Sequence, residues 1–359
     1  MKKKSLLLLA ALGSTVLASA QTLNVELNVG GNIDKTVFNQ LDSFAVNYSL
    51  NLKDAVILAS TVNGVEYAAD EIPDSAFLTK GYVNNNGAWI WTANKNVQSV
   101  VLPASITSVG NSAFNGIAAS AIDFSACTQL QKIGSYAFDM ANVEKIDLTG
   151  LNALKTIGSY AFDQTHATSI ALDGCSSLET IAERAFCQNY FATAVSFKGL
   201  TALKTIGNRA FLNLGKTSGD CGEIDLTPCT ALETIDESAF QSAKTKSVKL
   251  PASLKAINKA GFNLASNIQT ITFEGAVPPT LGTNAFTAKV MSSATVYVPA
   301  GSEQAYKDAG FENVETITAG VRSIRAEQSD APAYDLNGRQ VSDQSKGLLI
   351  QEGRKLMNK

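Results

Sequence analysis

Apolar residues recur along this chain with a period of about 24 positions. Eight phenylalanines mark the period, seven of them preceded by alanine: Phe114, Phe138, Phe162, Phe186, Phe211, Phe240, Phe262 and Phe286. The gaps between neighbours are 24, 24, 24, 25, 29, 22 and 24 residues. A period of this length indicates stacked copies of one supersecondary unit, each contacting only its neighbours. The pattern therefore predicts a solenoid with an extended surface.

Each unit contains a short stretch in which apolar and polar residues alternate, as at 146–148 (Ile-Asp-Leu) and 195–197 (Val-Ser-Phe). This period of two places one set of side chains inward and the other in solvent. Because all units run in the same direction, we expect a parallel β-sheet, with each phenylalanine above the last in one core. About eight units of 22–29 residues are predicted within residues 96–318.

A glycine follows the repeat isoleucine or valine in four units, at Gly110, Gly134, Gly158 and Gly207. Two other units have Asp236 or Asn258 at this position, and one departs from the pattern with Ala182. Since Gly, Asn and Asp tolerate positive φ, we expect a left-handed turn residue here.

The two ends of the chain differ from the repeats. Residues 1–20 combine three lysines, an apolar stretch and Ala-Ser-Ala, which predicts a signal peptide cleaved near Ala20 and hence a secreted protein. Residues 21–95 contain short alternating stretches and predict a small β-rich domain that caps the first repeat. Residues 319–332 are polar and predict a linker, and 333–359 predict a hairpin with a turn at Asn337-Gly338.

Five cysteines in an exported chain raise the question of disulfides. Cys127, Cys175 and Cys229 each lie three residues before a repeat leucine, where other units have leucine, so we expect buried hydrophobic side chains. Cys187 and Cys221 lie in predicted loops and could pair, which the sequence leaves open.

Residues 130–138 (LQKIGSYAF), 154–162 (LKTIGSYAF) and 203–211 (LKTIGNRAF) resemble the BspA-type (Treponema-like) leucine-rich repeat family. Residues 296–307 (VYVPAGSEQAYK) resemble the closing cap of that family. The resemblance implies a β-rich leucine-rich-repeat solenoid on a secreted or surface-displayed protein. It also implies adhesion and the binding of host proteins.

The C-terminal strings 334–341 (YDLNGRQV) and 346–359 (KGLLIQEGRKLMNK) resemble the sorting domains of type IX secretion in Bacteroidetes. That resemblance implies export through the outer membrane or attachment to the cell surface. A purely structural tail is the alternative.

Charge and composition exclude several classes of function. Without residues 1–20 the chain has 26 basic and 32 acidic residues, a net charge of −6 with no basic run, which argues against nucleic acid as a partner. No later stretch reaches about 18 apolar residues, so we expect no membrane span. The single histidine, His166, has no neighbouring ligands in the sequence, and the chain carries no nucleotide-binding or nucleophile motif. We therefore expect no catalytic, cofactor or metal site.

The solvent-facing strand positions define the predicted binding surface. Its candidate residues are Asp123, Lys145, Asp147, Ser169, Ser196, Glu223, Asp225, Lys249 and Thr272. We expect a surface protein that recognises a protein ligand, including adhesion to host or matrix proteins. One alternative is a glycan-binding protein that uses Trp89 and Trp91. These two rings are expected on the same face of a strand, where they could stack on a sugar or only pack against the first repeat. The other alternative is a scaffold without a specific ligand.

Overall fold

The computed structural model describes residues 25–43, 47–83 and 89–317, with four short strands between 333 and 358. Residues 1–20 lie outside the described residues, and so does the predicted turn at Asn337-Gly338.

The described elements, in chain order, are three short helices and 31 strands. The N-terminal elements are β1 (Val25–Asn28), β2 (Gly31–Ile33), α1 (Lys35–Asp42), β3 (Tyr48–Asn51), β4 (Ala55–Ile57), β5 (Ser60–Val62), β6 (Val65–Tyr67), β7 (Glu71–Ile72), β8 (Leu78–Val83) and β9 (Trp89–Ala93). The repeat strands are β10 (Val97–Val101), β11 (Ser108–Val109), β12 (Ala121–Asp123), β13 (Lys132–Ile133), β14 (Lys145–Asp147), β15 (Thr156–Ile157), β16 (Ser169–Ala171), β17 (Thr180–Ile181), β18 (Ala194–Ser196), β19 (Thr205–Ile206), β20 (Ile224–Asp225), β21 (Thr234–Ile235), β22 (Ser247–Leu250), β23 (Ala256–Ile257), β24 (Thr270–Phe273) and β25 (Thr280–Leu281). The C-terminal elements are α2 (Ala288–Ser293), β26 (Thr295–Val298), α3 (Glu303–Asp308), β27 (Asn313–Thr316), β28 (Ala333–Tyr334), β29 (Gln340–Val341), β30 (Gly347–Gln351) and β31 (Arg354–Asn358).

The chain forms a parallel β-solenoid of about 11 turns, which confirms the predicted fold class. Each repeat turn contributes one strand to a first layer and one to a second layer. The second layer is a nine-stranded parallel sheet in the order β25-β23-β21-β19-β17-β15-β13-β11-β7. The first layer consists of three hydrogen-bonded parallel segments, β1-β3-β10-β12, β14-β16-β18 and β20-β22-β24-β26-β27. The turn with Ala76-Phe77 was not predicted because Phe77 lies 37 residues before Phe114, outside the 24-residue period, with β8 and β9 between them.

The predicted phenylalanine ladder runs through the centre of the solenoid. Neighbouring rings stack with centroids 5.0–5.4 Å apart and interplanar angles of 2–13°. The ladder starts one turn earlier than predicted, because Phe77 stacks on Phe114 at 5.1 Å. Helix α1 then places Phe38 edge-on against Phe77 at 6.1 Å, so the helix covers this end of the ladder.

The first layer continues into the predicted N-terminal domain, since β10 pairs in parallel with β3 and β3 with β1. Two antiparallel hairpins, β5-β6 and β8-β9, are added to these turns. The division of the chain at residue 95 stays a prediction. In the C-terminal region β28–β31 pair antiparallel, apart from both layers.

The expectation of positive φ at the repeat glycines is wrong. Positive φ occurs two residues before every ladder phenylalanine and two residues after each one from Phe114 to Phe262, as at Tyr136 (57°) and Met140 (55°) around Phe138. The glycines are required by close approach instead. A Cβ on Gly134 would lie 2.7 Å from the backbone nitrogen of Asn111, and one on Gly158 would lie 2.6 Å from that of Ser135.

All five cysteines are buried and free, so Cys187 and Cys221 form no disulfide. Cys127, Cys175 and Cys229 lie in the core as expected. Burial raises the pKa of the Cys187 and Cys221 thiols to about 12, which suppresses the reactive thiolate at neutral pH.

Replacement of Phe162 by alanine should lower the free energy of unfolding by about 3–5 kcal/mol, because it removes a buried ring that stacks on two others. Urea unfolding followed by circular dichroism measures the change. Phe191→Ala is the matched control, since this ring is 40% exposed, and it should change stability by less than about 0.5 kcal/mol. Equal stability of the unaltered and Phe162→Ala chains would contradict the stacked core.

Candidate functional site

The structure places the nine predicted surface residues on the outer side of the first layer. Asp123, Lys145, Asp147 and Glu223 are exposed, and Ser169, Ser196, Asp225, Lys249 and Thr272 are partly exposed. They do not form one continuous hydrogen-bonded sheet, because they belong to three different segments of the first layer. The first segment contains Asp123, the second contains the four residues from 145 to 196, and the third contains the four from 223 to 272. Whether these residues bind a partner stays a prediction.

Ion pairing on this outer side is concentrated at Lys249. Lys249 Nζ lies 2.8 Å from Glu223 Oε2 and 3.9 Å from Asp225 Oδ2. The hydroxyl of Ser247 donates to Glu223 Oε1 at 2.8 Å. This part of the surface therefore presents little net charge to a ligand.

The recurring aspartates have a structural role that the sequence did not reveal. Asp123, Asp147 and Asp225 each accept a hydrogen bond from the backbone N–H two residues later, at 2.8, 3.0 and 3.0 Å. Such side-chain-to-backbone bonds form Asx-turns, which here end the strand. The hydrogen bonds from Ser125 hold the pKa of Asp123 below its usual value.

The outward row also continues further than predicted. Thr272 is paired in register with Tyr297, and Tyr297 with Glu315. Tyr297 is partly exposed, so the row does contain an aromatic side chain. It was missed because the closing segment lacks the Ala-Phe mark used to align the units.

A second surface, which we call the aromatic edge, follows the corner of the phenylalanine turns. It comprises Tyr136, Tyr160, Arg184, Tyr190 and Phe191. The rings of Tyr136 and Tyr160 stack with centroids 4.6 Å apart. The guanidinium carbon of Arg184 lies 4.8 Å from the centroid of Tyr160, so the cation continues the stack.

Much of the aromatic edge faces solvent. Tyr136 and Phe191 are each 40% exposed, and Met140, on the same turn as Tyr136, is 52% exposed. The ring of His166 is exposed and stacks on Phe191 at 5.6 Å.

The 29-residue unit extends this surface with a loop. Lys216, from that loop, lies 5.8 Å above the ring of Tyr190. The N–H of Thr217 donates to the carbonyl of Tyr190 at 2.8 Å, and Ser218 Oγ donates to the carbonyl of Ala192 at 2.7 Å. The insertion is thus folded back against the preceding turn beside the aromatic edge.

Sequence reasoning missed the aromatic edge because it examined only the strands. Tyr136, Tyr160 and Arg184 each lie two residues before a ladder phenylalanine, in the left-handed backbone positions with φ of 57°, 60° and 53°. The available signal was the string Ser-Tyr-Ala-Phe, which places a large side chain at the same corner of successive turns.

Two buried aspartates lie behind the aromatic edge, each directly after a ladder phenylalanine. Asn115 Nδ2 donates to Asp139 Oδ2 at 3.2 Å, and Arg184 Nη2 donates to Asp163 Oδ2 at 3.0 Å. The Oδ1 atom of each carboxyl has no hydrogen-bond partner. Burial, and then the charge of Asp163, raise the pKa of Asp139 to about 6.

Other sequence candidates are not tested by this geometry. The side chains of Trp89 and Trp91 lie outside the part of the chain that the structure describes. Among the described residues, no three His, Cys, Asp or Glu side chains are grouped so as to hold a metal ion. None of the described helices is long and apolar enough to cross a membrane.

The chain belongs to the BspA type leucine rich repeat family. The sequence pattern of that family matches in six copies, over residues 91–218 and 201–318. No enzyme family was found, and the matched repeat family is typically non-catalytic. No curated protein matches this chain.

Three solved bacterial structures are similar to parts of the chain. The pneumococcal vaccine antigen PcpA is 15% identical, with a TM-score of 0.28, and the match covers 76% of this chain and 89% of that one. A leucine-rich repeat protein of Bacteroides ovatus is 16% identical, with a TM-score of 0.29 and coverage of 75% and 92%. A leucine rich cell surface protein of Faecalibacterium prausnitzii is 12% identical, with a TM-score of 0.16 and coverage of 76% and 88%. At these scores the likenesses carry no argument about the ligand.

The raised pKa of Asp139 predicts that stability falls as pH rises. The folded chain holds the proton of Asp139 more tightly than the unfolded chain, in which an aspartate has a pKa near 3.8. This contribution to stability is therefore lost as the pH rises from about 4 through 6, and no more of it is lost at higher pH. Asp139→Asn mimics the protonated acid and should raise the free energy of unfolding by about 1–2 kcal/mol at pH 7.5, with little effect at pH 4.

Urea unfolding of both chains at the two pH values measures this difference. The exposed Asp54→Asn serves as the control, which should behave alike at both values. If Asp139→Asn raised the free energy of unfolding as much at pH 4 as at pH 7.5, the proposed titration of Asp139 would be contradicted.

Proposed function

We propose that this protein is exported and recognises a protein ligand through the aromatic edge, with adhesion to host or matrix proteins as its role. The observation that carries the proposal is the stack of Tyr136, Tyr160 and Arg184, together with the exposed ring of Phe191. Tyrosine, arginine and methionine are enriched at the centres of protein interfaces, and tyrosine and arginine supply a large share of their binding energy. The outer side of the first layer has mostly small or mutually neutralised side chains.

The geometry favours recognition by a rigid surface. Tyr136 and Tyr160 are held by each other and by Arg184, which is itself paired with Asp163. Side chains that are already ordered lose little conformational entropy on binding. The outer side of the first layer, including Lys145 and Asp147, would contribute weaker contacts around these anchors.

Loss of the exposed rings should weaken binding. We expect Tyr136→Ser combined with Phe191→Ser to raise the Kd of the mature chain for its ligand by tenfold or more, since each is an exposed ring of the hot-spot type. Biolayer interferometry against a panel of purified matrix and mucosal proteins measures the change. Leu264→Ser is the matched control, because Leu264 is 53% exposed on the same corner of a distant turn.

Two results would contradict this proposal. One is a protein ligand whose Kd is unchanged by the double substitution. The other is binding to a glycan array that Trp89→Ala abolishes, which would establish the glycan-binding alternative.

The C-terminal strands support an additional role in export. Strands β28–β31 pair only with one another and not with the solenoid layers. Deletion of 333–359 should therefore leave the melting temperature of the solenoid unchanged while it alters where the protein accumulates in the parent cell. Cell fractionation and surface proteolysis measure the location. Unchanged surface display of the shortened chain would contradict a sorting function.

A further inference from the structure

The C-terminal end of the second layer is an uncovered edge. Strand β25 pairs with β23 on one side, and no described strand pairs with its other side. The first layer continues for two more strands, β26 and β27, so the two layers end at different turns. The phenylalanine ladder itself is covered at both ends, by Phe38 of α1 at Phe77 and by Phe311, whose ring centroid lies 5.8 Å from that of Phe286. The groups left without partners are those of the backbone edge at β25.

Backbone groups on this edge lack the partners that their counterparts have. In each earlier repeat turn, the N–H of the ladder phenylalanine donates to the next turn, as Phe262 does to the carbonyl of Ala285 at 2.7 Å. Among the described residues, the N–H groups of Asn284 and Phe286 donate to no acceptor, and the carbonyls of Pro279 and Leu281 accept no hydrogen bond.

A cavity that is open to solvent and mostly apolar adjoins these groups. It has a volume of about 270 Å³ and is lined by Leu281, Ala285, Phe286, Met291 and other residues. A cavity of roughly 150 Å³ already admits a benzene ring, so an aromatic or large aliphatic side chain fits here.

The contacts between successive turns of the solenoid show which kind of segment would fit this edge. The segment 203–211 donates the N–H groups of Lys204 and Gly207 to the preceding turn and accepts that turn's N–H groups at the carbonyls of Asn208 and Ala210. Its phenylalanine stacks on the preceding ring at 5.2 Å. An extended peptide with the same arrangement has a partner for each of the four free groups on the edge.

We propose that this edge binds an extended segment of a partner protein by strand addition. The segment runs parallel to β25, hydrogen-bonds to Pro279, Leu281, Asn284 and Phe286, and places an aromatic or large aliphatic side chain in the cavity. Strand addition combines backbone hydrogen bonds, which supply affinity, with side-chain pockets, which supply specificity. This site is separate from the aromatic edge and does not depend on it.

A synthetic peptide of sequence LKTIGNRAFLN, identical to residues 203–213, is a direct probe. We expect it to bind the mature full chain and to slow hydrogen exchange of the Asn284 and Phe286 amides, measured by mass spectrometry. Replacement of its phenylalanine by alanine should raise the Kd about tenfold or more. The amides of Ala260 and Phe262, which are already hydrogen-bonded, should be protected with or without peptide.

The protein variant Ala288→Trp tests the location, because Ala288 is exposed and lines the cavity. It should abolish protection by the peptide, whereas Ala121→Trp, exposed on β12 many turns from the cavity, should not. Unchanged binding to the Ala288→Trp chain, or no protection at millimolar peptide, would overturn the proposal. It would also be overturned if the Asn284 and Phe286 amides were already protected in the free chain. Protection of these amides in the free chain that increased with protein concentration would show that a second copy occupies the edge. Protection that did not depend on protein concentration would show that the chain's own C-terminal residues occupy it.

Discussion

Each turn of this protein must lie about 5 Å from the next, and the other features of the solenoid follow from that spacing. The rings of the ladder stack at 5.0–5.4 Å, which matches the distance between neighbouring strands in a sheet. One side chain per turn can therefore stack at the same interval at which the backbone forms hydrogen bonds. The same spacing requires glycine where a Cβ would collide with the turn before it.

This spacing also determines which surfaces can bind a ligand. On the outer side of the first layer, the aspartates are engaged in Asx-turns and Lys249 in ion pairs with the neighbouring turn. At the corner, the left-handed residues point large side chains away from the core. Arg184 connects this corner to the buried carboxyl behind it, because it stacks on Tyr160 and pairs with Asp163.

The sequence allowed prediction of the ladder, the parallel strands and the core cysteines, because each recurs at the same place in every unit. It did not allow prediction of α1 or of the aromatic edge. Helix α1 occurs once, so no repetition marks it, although Asp34 caps it through a hydrogen bond to the N–H of Thr36. The sequence pattern did not single out Tyr136 and Tyr160, because the residue two positions before the ladder phenylalanine differs from turn to turn. Serine, tyrosine and arginine all occur there.

The sequence by itself determined the repeat, its register and the division between core and solvent-facing residues. A period can be recognised along the chain without knowledge of any contact between turns. Only the tertiary structure decided why the repeat glycines are needed, where positive φ falls and which polar groups remain unpaired. These depend on the backbone of the adjacent turn, about 24 residues away, and a pattern read along one chain does not contain distances between turns. The free edge at β25 is the clearest case, because it exists only where the next turn is absent.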